Sequence, residues 1–140
     1  MTLKHHQPEC ILDLRASLGE GPVWIEAEKS LYFVDIVEAR VHRFTPETGA
    51  VKSWTAPKRL GFLLPVNDGT FLAGLVDGLH RLAPKIGKFS AHTEVEPEKS
   101  GNRLNDGSVA PEGRTWSGTM GDGEANDTGS TYRVVHTRVG

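Results

Sequence analysis

The chain has 140 residues, 37% apolar and 24% charged, with a formal net charge of −2. This globular composition excludes a disordered polyelectrolyte and leaves no charge-driven case for nucleic-acid binding. Sixteen glycines and eight prolines are the outlier: glycine stands at about 11% against roughly 7% in ordinary proteins, so turns and short strands are expected and long helices are not.

Residues 1–11, including His5-His6 and the single cysteine Cys10, read as an N-terminal tail. One cysteine excludes an internal disulfide and a cysteine-held zinc. No signal-type apolar segment opens the chain, and no apolar window reaches spanning length. The expectation is a cytoplasmic protein with no membrane partner.

Leu18-Gly-Glu-Gly-Pro-Val-Trp24 comes next. Glycines on both sides of Glu20 let the backbone take turns that other residues resist. A carboxylate held there suits a hard-metal ligand, although spacing alone also fits a solvated turn glutamate. Leu31–Ile36 is rich in aromatic and β-branched residues and reads as a strand. Arg40–Phe44 alternates, Thr45-Pro-Glu-Thr-Gly49 is a turn, and Ala50–Trp54 resumes the strand pattern.

The pattern then repeats. Thr70–Leu75 and Gly78–Leu82 are strands, Ala83–Gly87 is the turn, and Lys88–Ser90 is the third strand. Val41-His-Arg-Phe-Thr-Pro46 matches Leu79-His-Arg-Leu-Ala-Pro84 at an offset of 38, and Gly49 and Gly87 keep that offset. A looser third copy has strands at Arg114–Thr119 and Thr131–Val135, with an insertion between Met120 and Thr131. Val135–Gly140 ends without closing a further unit. A repeat of about 40 residues with three or four strands predicts a β-propeller. A β-sandwich is the competing fold, and it leaves the phased His-Arg-x-x-Pro-x-x-Gly unexplained. Trp24, Trp54 and Trp116 are expected in the core.

Asn102-Arg-Leu-Asn-Asp-Gly107 is the second candidate site. Arg103 and Asn105 lie two apart, so an extended backbone points them the same way. A cationic fork and an amide suit a polyhydroxylated or carboxylated small molecule. Asn-Asp-Gly is equally a hairpin signal, and Asn67-Asp68-Gly69 repeats it where only a turn is expected. Asp122–Gly129 is acidic and glycine-rich but lacks the central glycine and closing glutamate of an EF-hand, so it reads as a solvated loop. No Gly-x-Ser-x-Gly, His-Glu-x-x-His or phosphate loop occurs.

Taken in order, Leu18–Trp24, Leu31–Ile36, Gly101–Gly107 and Gly113–Met120 resemble the SMP-30/gluconolactonase/LRE-like family of regucalcin-like sugar lactonases, over about Leu12 to Tyr132. The resemblance implies an all-β, six-bladed propeller of four-stranded antiparallel blades. This chain would hold about three of them, in a domain over 12–140 that is incomplete at its C-terminus. It also implies hydrolysis of a sugar lactone to the aldonic acid with one divalent cation (Ca, Zn, Mn or Mg). Glu20 falls on the family's metal-binding glutamate, Arg103 and Asn105 on its substrate-binding pair, and Glu124 near a further substrate-contacting acid.

The family's remaining ligands, an asparagine and an aspartate expected to act as base, would lie beyond the chain end, so no catalytic residue is assigned. Val109-Ala110-Pro111 departs from the Val-Asp-Pro that members often carry. The alternatives are a truncated, inactive remnant with weak cation or sugar binding, and a propeller used as an interaction scaffold. The implied partner is a small-molecule sugar lactone, with neither nucleic acid nor membrane. The open propeller edges also offer self-association.

Overall fold

Alternating and β-branched segments pair with their nearest sequence neighbours, because tight turns close antiparallel strands at small entropic cost. The computed structural model describes residues 4–134; Met1–Leu3 and Val135–Gly140, including the unclosed terminal segment and the last residue of the expected strand 131–135, lie outside the described residues. Three meanders result. The first sheet runs β1 (Gly19–Ile25), β2 (Ser30–Asp35), β3 (Arg40–Thr45), β4 (Ala50–Thr55). The second runs β5 (Leu60–Pro65), β6 (Phe71–Leu75), β7 (Gly78–Ala83), β8 (Lys88–Glu94). The third holds β9 (Asn102–Val109), β10 (Thr115–Gly121) and β11 (Thr131–Val134), three strands among the described residues. All pairings are antiparallel. A short 3-10 turn at Glu26–Glu28 joins β1 to β2. Among the described residues no helix is long and apolar enough to cross a membrane.

The offset of 38 is structural. β3 and β7, then β4 and β8, occupy matching places, and the Thr45–Gly49 and Ala83–Gly87 turns end in left-handed glycines at φ 72° and 64°. Gly49 N–H donates to the Thr45 carbonyl (2.9 Å), and Ile86 N–H to that of Ala83 (3.3 Å).

The period of two along each strand decides the packing. Tyr32, Val34, Val41 and Trp54 of the first sheet meet Leu60, Leu63, Phe71 and Leu82 of the second. The other face of the second sheet, with Phe62, Leu64, Leu72 and Leu79, meets Leu104 of β9. The middle sheet is therefore covered on both sides, which is why β5 and β6 read as nearly unbroken apolar runs. Three meanders stacked in series make a propeller; a sandwich has two sheets.

Tyr32 is fully buried, its ring 4.6 Å from that of Phe71. Its hydroxyl donates to Glu28 at 2.7 Å, and burial together with that carboxylate pushes its pKa up to about 12. Trp54 is buried and donates to the Pro84 carbonyl (3.1 Å), tying the first sheet to the second. Trp24 and Trp116 correct the core expectation: they are 47% and 40% exposed. Each alternates with residues turned toward the middle sheet and so points to the face of its own sheet that no other described sheet covers.

Candidate functional site

β1, β5 and β9 lead their sheets and lie side by side, β5 packed between the other two. Each carries a bulge near its start. The register shifts between Glu20 and Val23 on β1 and between Leu60 and Phe62 on β5, while on β9 Leu104 and Asp106 face consecutive residues of β10, leaving Asn105 unpaired. Bulges bend a strand and re-aim its side chains. The three line up: a Cβ built on Gly21 would lie 3.6 Å from the Gly61 carbonyl oxygen, and one on Gly61 only 2.3 Å from that of Asn105. Glycine at 61 is thus required by direct backbone contact, the usual meaning of a glycine inside an apolar strand.

Arg103 sits beside this row and is 8% exposed. Its Nη1 donates to Asn105 Oδ1 (3.1 Å) and to the Leu104 carbonyl (3.3 Å), and its Nε lies 3.1 Å from Asp122 Oδ1. The expected convergence of Arg103 and Asn105 is present, although the bulge leaves Asn105 exposed while Arg103 is buried. Because Asn105 Oδ1 accepts from arginine, its amide N–H groups are directed elsewhere. Asp122 also accepts from Arg59 Nη2, which comes from just before β5. Sequence reasoning missed both Asp122 and Arg59.

Loop 122–130 is tied down. Asp122 N–H donates to the Gly101 carbonyl (2.8 Å). Asn102 Nδ2 donates to the Thr128 carbonyl (3.0 Å), and Thr128 Oγ1 donates to Asn102 Oδ1 (2.6 Å). Behind Asn102 lies Glu96, 8% exposed with φ 50°. Its carboxylate accepts from Tyr132 Oη (2.7 Å), Asn102 Nδ2 (2.7 Å) and Lys99 Nζ (3.0 Å). Burial alone would raise the Glu96 pKa; the hydrogen bonds from Tyr132, Asn102, Lys99 and Thr119 outweigh it and hold the carboxyl at about 2. This hub joins the start of β9, and so Arg103, to the loop that presents Asp122.

Glu20 is exposed and borders a cleft of about 460 Å³ with Leu31, Phe33, Phe44 and the tail residues Ile11 and Leu12. Among the described residues no group of three or more His, Cys, Asp or Glu converges on one point. A hard divalent cation takes six or more oxygens, so the donors present here do not by themselves fit one. Glu124 is exposed at φ 54° in the turn after Asp122; the acid on Arg103 is Asp122.

Three stacked meanders whose leading strands carry a polar rim around buried Arg103 define a β-propeller. The sequence matches the SMP-30/Gluconolactonase/LRE-like region over residues 18–139, and the chain belongs to that family. It is 34% identical to a 6-deoxy-6-sulfogluconolactonase of Pseudomonas putida, over 90% of this chain and 43% of that protein. It is 36% identical to a pentonolactonase of Haloferax volcanii, over 93% of this chain and 46% of that one. Among solved structures it resembles the calcium-binding protein regucalcin of Agrobacterium tumefaciens, with 32% identity and a TM-score of 0.79, covering 84% of this chain and 40% of the other. The chain spans less than half the length of these relatives.

Proposed function

We propose that this chain supplies the substrate-orienting part of a sugar lactonase site, in an activity that opens an aldonolactone to its aldonic acid. Buried Arg103, held between Asn105 and Asp122, carries this reading. A sugar lactone presents hydroxyl, carbonyl and ring oxygens. The remaining Nη2 donors of a fixed guanidinium and an amide reach them with little ordering cost. In the reaction a water oxygen adds to the carbonyl carbon, the ring C–O bond breaks, and the departing ring oxygen takes a proton. Arg103 and Asn105 orient the sugar for that attack, Asp122 keeps Arg103 in its rotamer, and Glu124 is a further substrate contact from the exposed loop. Glu20 is one ligand toward a divalent cation (calcium, zinc, manganese or magnesium), whose other oxygens come from outside the described residues. A cytoplasmic location, no nucleic-acid or membrane partner, and self-association through the open propeller edges belong to the same proposal.

Glu20 shares its cleft with Glu9 and with no third acid among the described residues, which favours a second reading for the chain by itself: lactone binding without turnover. Acid release from glucono-1,5-lactone, followed with and without each cation, separates the two. A rate above that of Glu20→Ala supports the lactonase. Calorimetric binding of glucono-1,4-lactone without turnover, lost in Arg103→Ala, supports the second reading, and neither signal overturns both.

A further inference from the structure

Two guanidiniums share one carboxylate at the rim. Arg103 Nε lies 3.1 Å from Asp122 Oδ1, and Arg59 Nη2 bonds Oδ2. The two arginines differ in what remains of them. Arg103 is 9% exposed in its side chain and spends further donors on Leu104 and Asn105. The Arg59 side chain is 41% exposed, and Asp122 is its one hydrogen-bond partner among the described residues. Arginine has five N–H donors, so most of those on Arg59 face solvent beside the site. Its backbone is fixed, the carbonyl accepting from Val76 N–H at 3.0 Å. The neighbouring acid is already engaged: Asp77 takes Lys58 (2.8 Å) and His80 (3.0 Å). Two cations on one anion leave this trio with one positive charge, and the unspent donors lie on the more exposed of its two arginines.

We infer that Arg59 makes this site selective for lactones carrying an oxyanion, such as a carboxylate, sulfonate or phosphate, at the end of the sugar away from the ring carbonyl. Hydrogen bonds from guanidinium to an oxyanion are roughly twice as strong as those to a neutral hydroxyl. A half-exposed arginine therefore discriminates most where the substrate brings a charge. Arg103 orients the sugar, and Arg59, one blade away, reads the far end.

The inference rests on the lactone-binding reading of Arg103, and a matched pair of probes keeps the two apart. Glucaro-1,4-lactone and glucono-1,4-lactone share the ring and differ in a terminal carboxylate against a terminal hydroxymethyl. Calorimetry on the 140-residue chain should show the glucarolactone bound about tenfold more tightly, a ratio that shrinks as salt rises. Arg59→Gln should bring the ratio to about one, and Arg59→Lys, which keeps the charge without the fork, should retain part of it. Removing a structural prop of Asp122 would weaken both lactones equally and leave the ratio intact; that outcome overturns the inference, as does a wild-type ratio near one. Binding of neither lactone overturns the site reading itself.

Discussion

At residues 67–69 Asn-Asp-Gly closes the hairpin between β5 and β6, while at 105–107 the same three residues run through β9. In the hairpin, Val66 N–H donates to the Thr70 carbonyl (2.9 Å) and Gly69 takes φ 81°. Asp68 Oδ1 accepts from Thr70 N–H (3.0 Å) and Oγ1 (2.5 Å), and its other oxygen meets Arg81. In β9, Asp106 and Gly107 face Gly118 and Ser117 across the sheet, and Asn105 is the bulge on Arg103. The two glycines differ in what lies over them. A Cβ at Gly69 would meet nothing within 4 Å, whereas one at Gly107 would come within 2.8 Å of the Phe62 ring. An identical local signal is overruled where the chain passes over a buried aromatic ring, because burying it outweighs a turn preference of about 1 kcal/mol or less.

Phe62 packs on the second copy where β9 pairs with β10, and truncating it is the strongest way to break the contrast. Phe62→Ala should cost about 3–5 kcal/mol in urea unfolding, with chemical-shift changes concentrated along β9 and sparing the 67–69 turn.

The carboxylates beside the two copies sharpen it further. Glu96 and Asp68 both sit below their ordinary pKa, but Glu96 is buried in a hub and Asp68 lies in an exposed turn. Glu96, depressed from 4.5 to about 2, adds stability that is fully present above pH 4.5 and lost as pH falls through about 2. Glu96→Gln should cost about 1.5–3 kcal/mol at neutral pH and flatten the pH dependence of the melting temperature between those limits; an unchanged slope would refute the hub.

The glycines come next. Gly107→Ala, pressed against Phe62, should cost about 1–3 kcal/mol, and Gly69→Ala about 1 kcal/mol through its left-handed backbone alone. Equal costs would erase the distinction. Asp68→Ala should have the smallest effect, a melting shift within the scatter of surface substitutions and no change in lactone binding.

Much of this architecture is legible along the chain. The His-Arg-x-x-Pro-x-x-Gly phase sets β3, β4, β7 and β8 in matching places, since the same residues demand the same turn twice. Arg103 and Asn105 are visible as a pair because they lie two apart. Asp122 and Arg59 are not, being 63 residues apart and meeting only across two blades. Gly61 inside Leu60-Gly-Phe-Leu-Leu64 was the available clue, since a glycine in an apolar run marks close backbone approach. Trp24 and Trp116 have the size and hydrophobicity of core residues, but these say nothing about which face of a strand is covered.

Composition and local patterning by themselves determined an all-β chain of repeated meanders, with turns where glycine and proline fall, because those choices depend on a few neighbouring residues. Only the tertiary structure decided that the Asn-Asp-Gly at 105–107 is strand rather than turn, and which acid meets Arg103. Those outcomes depend on what the stacked sheets bring together from distant parts of the chain.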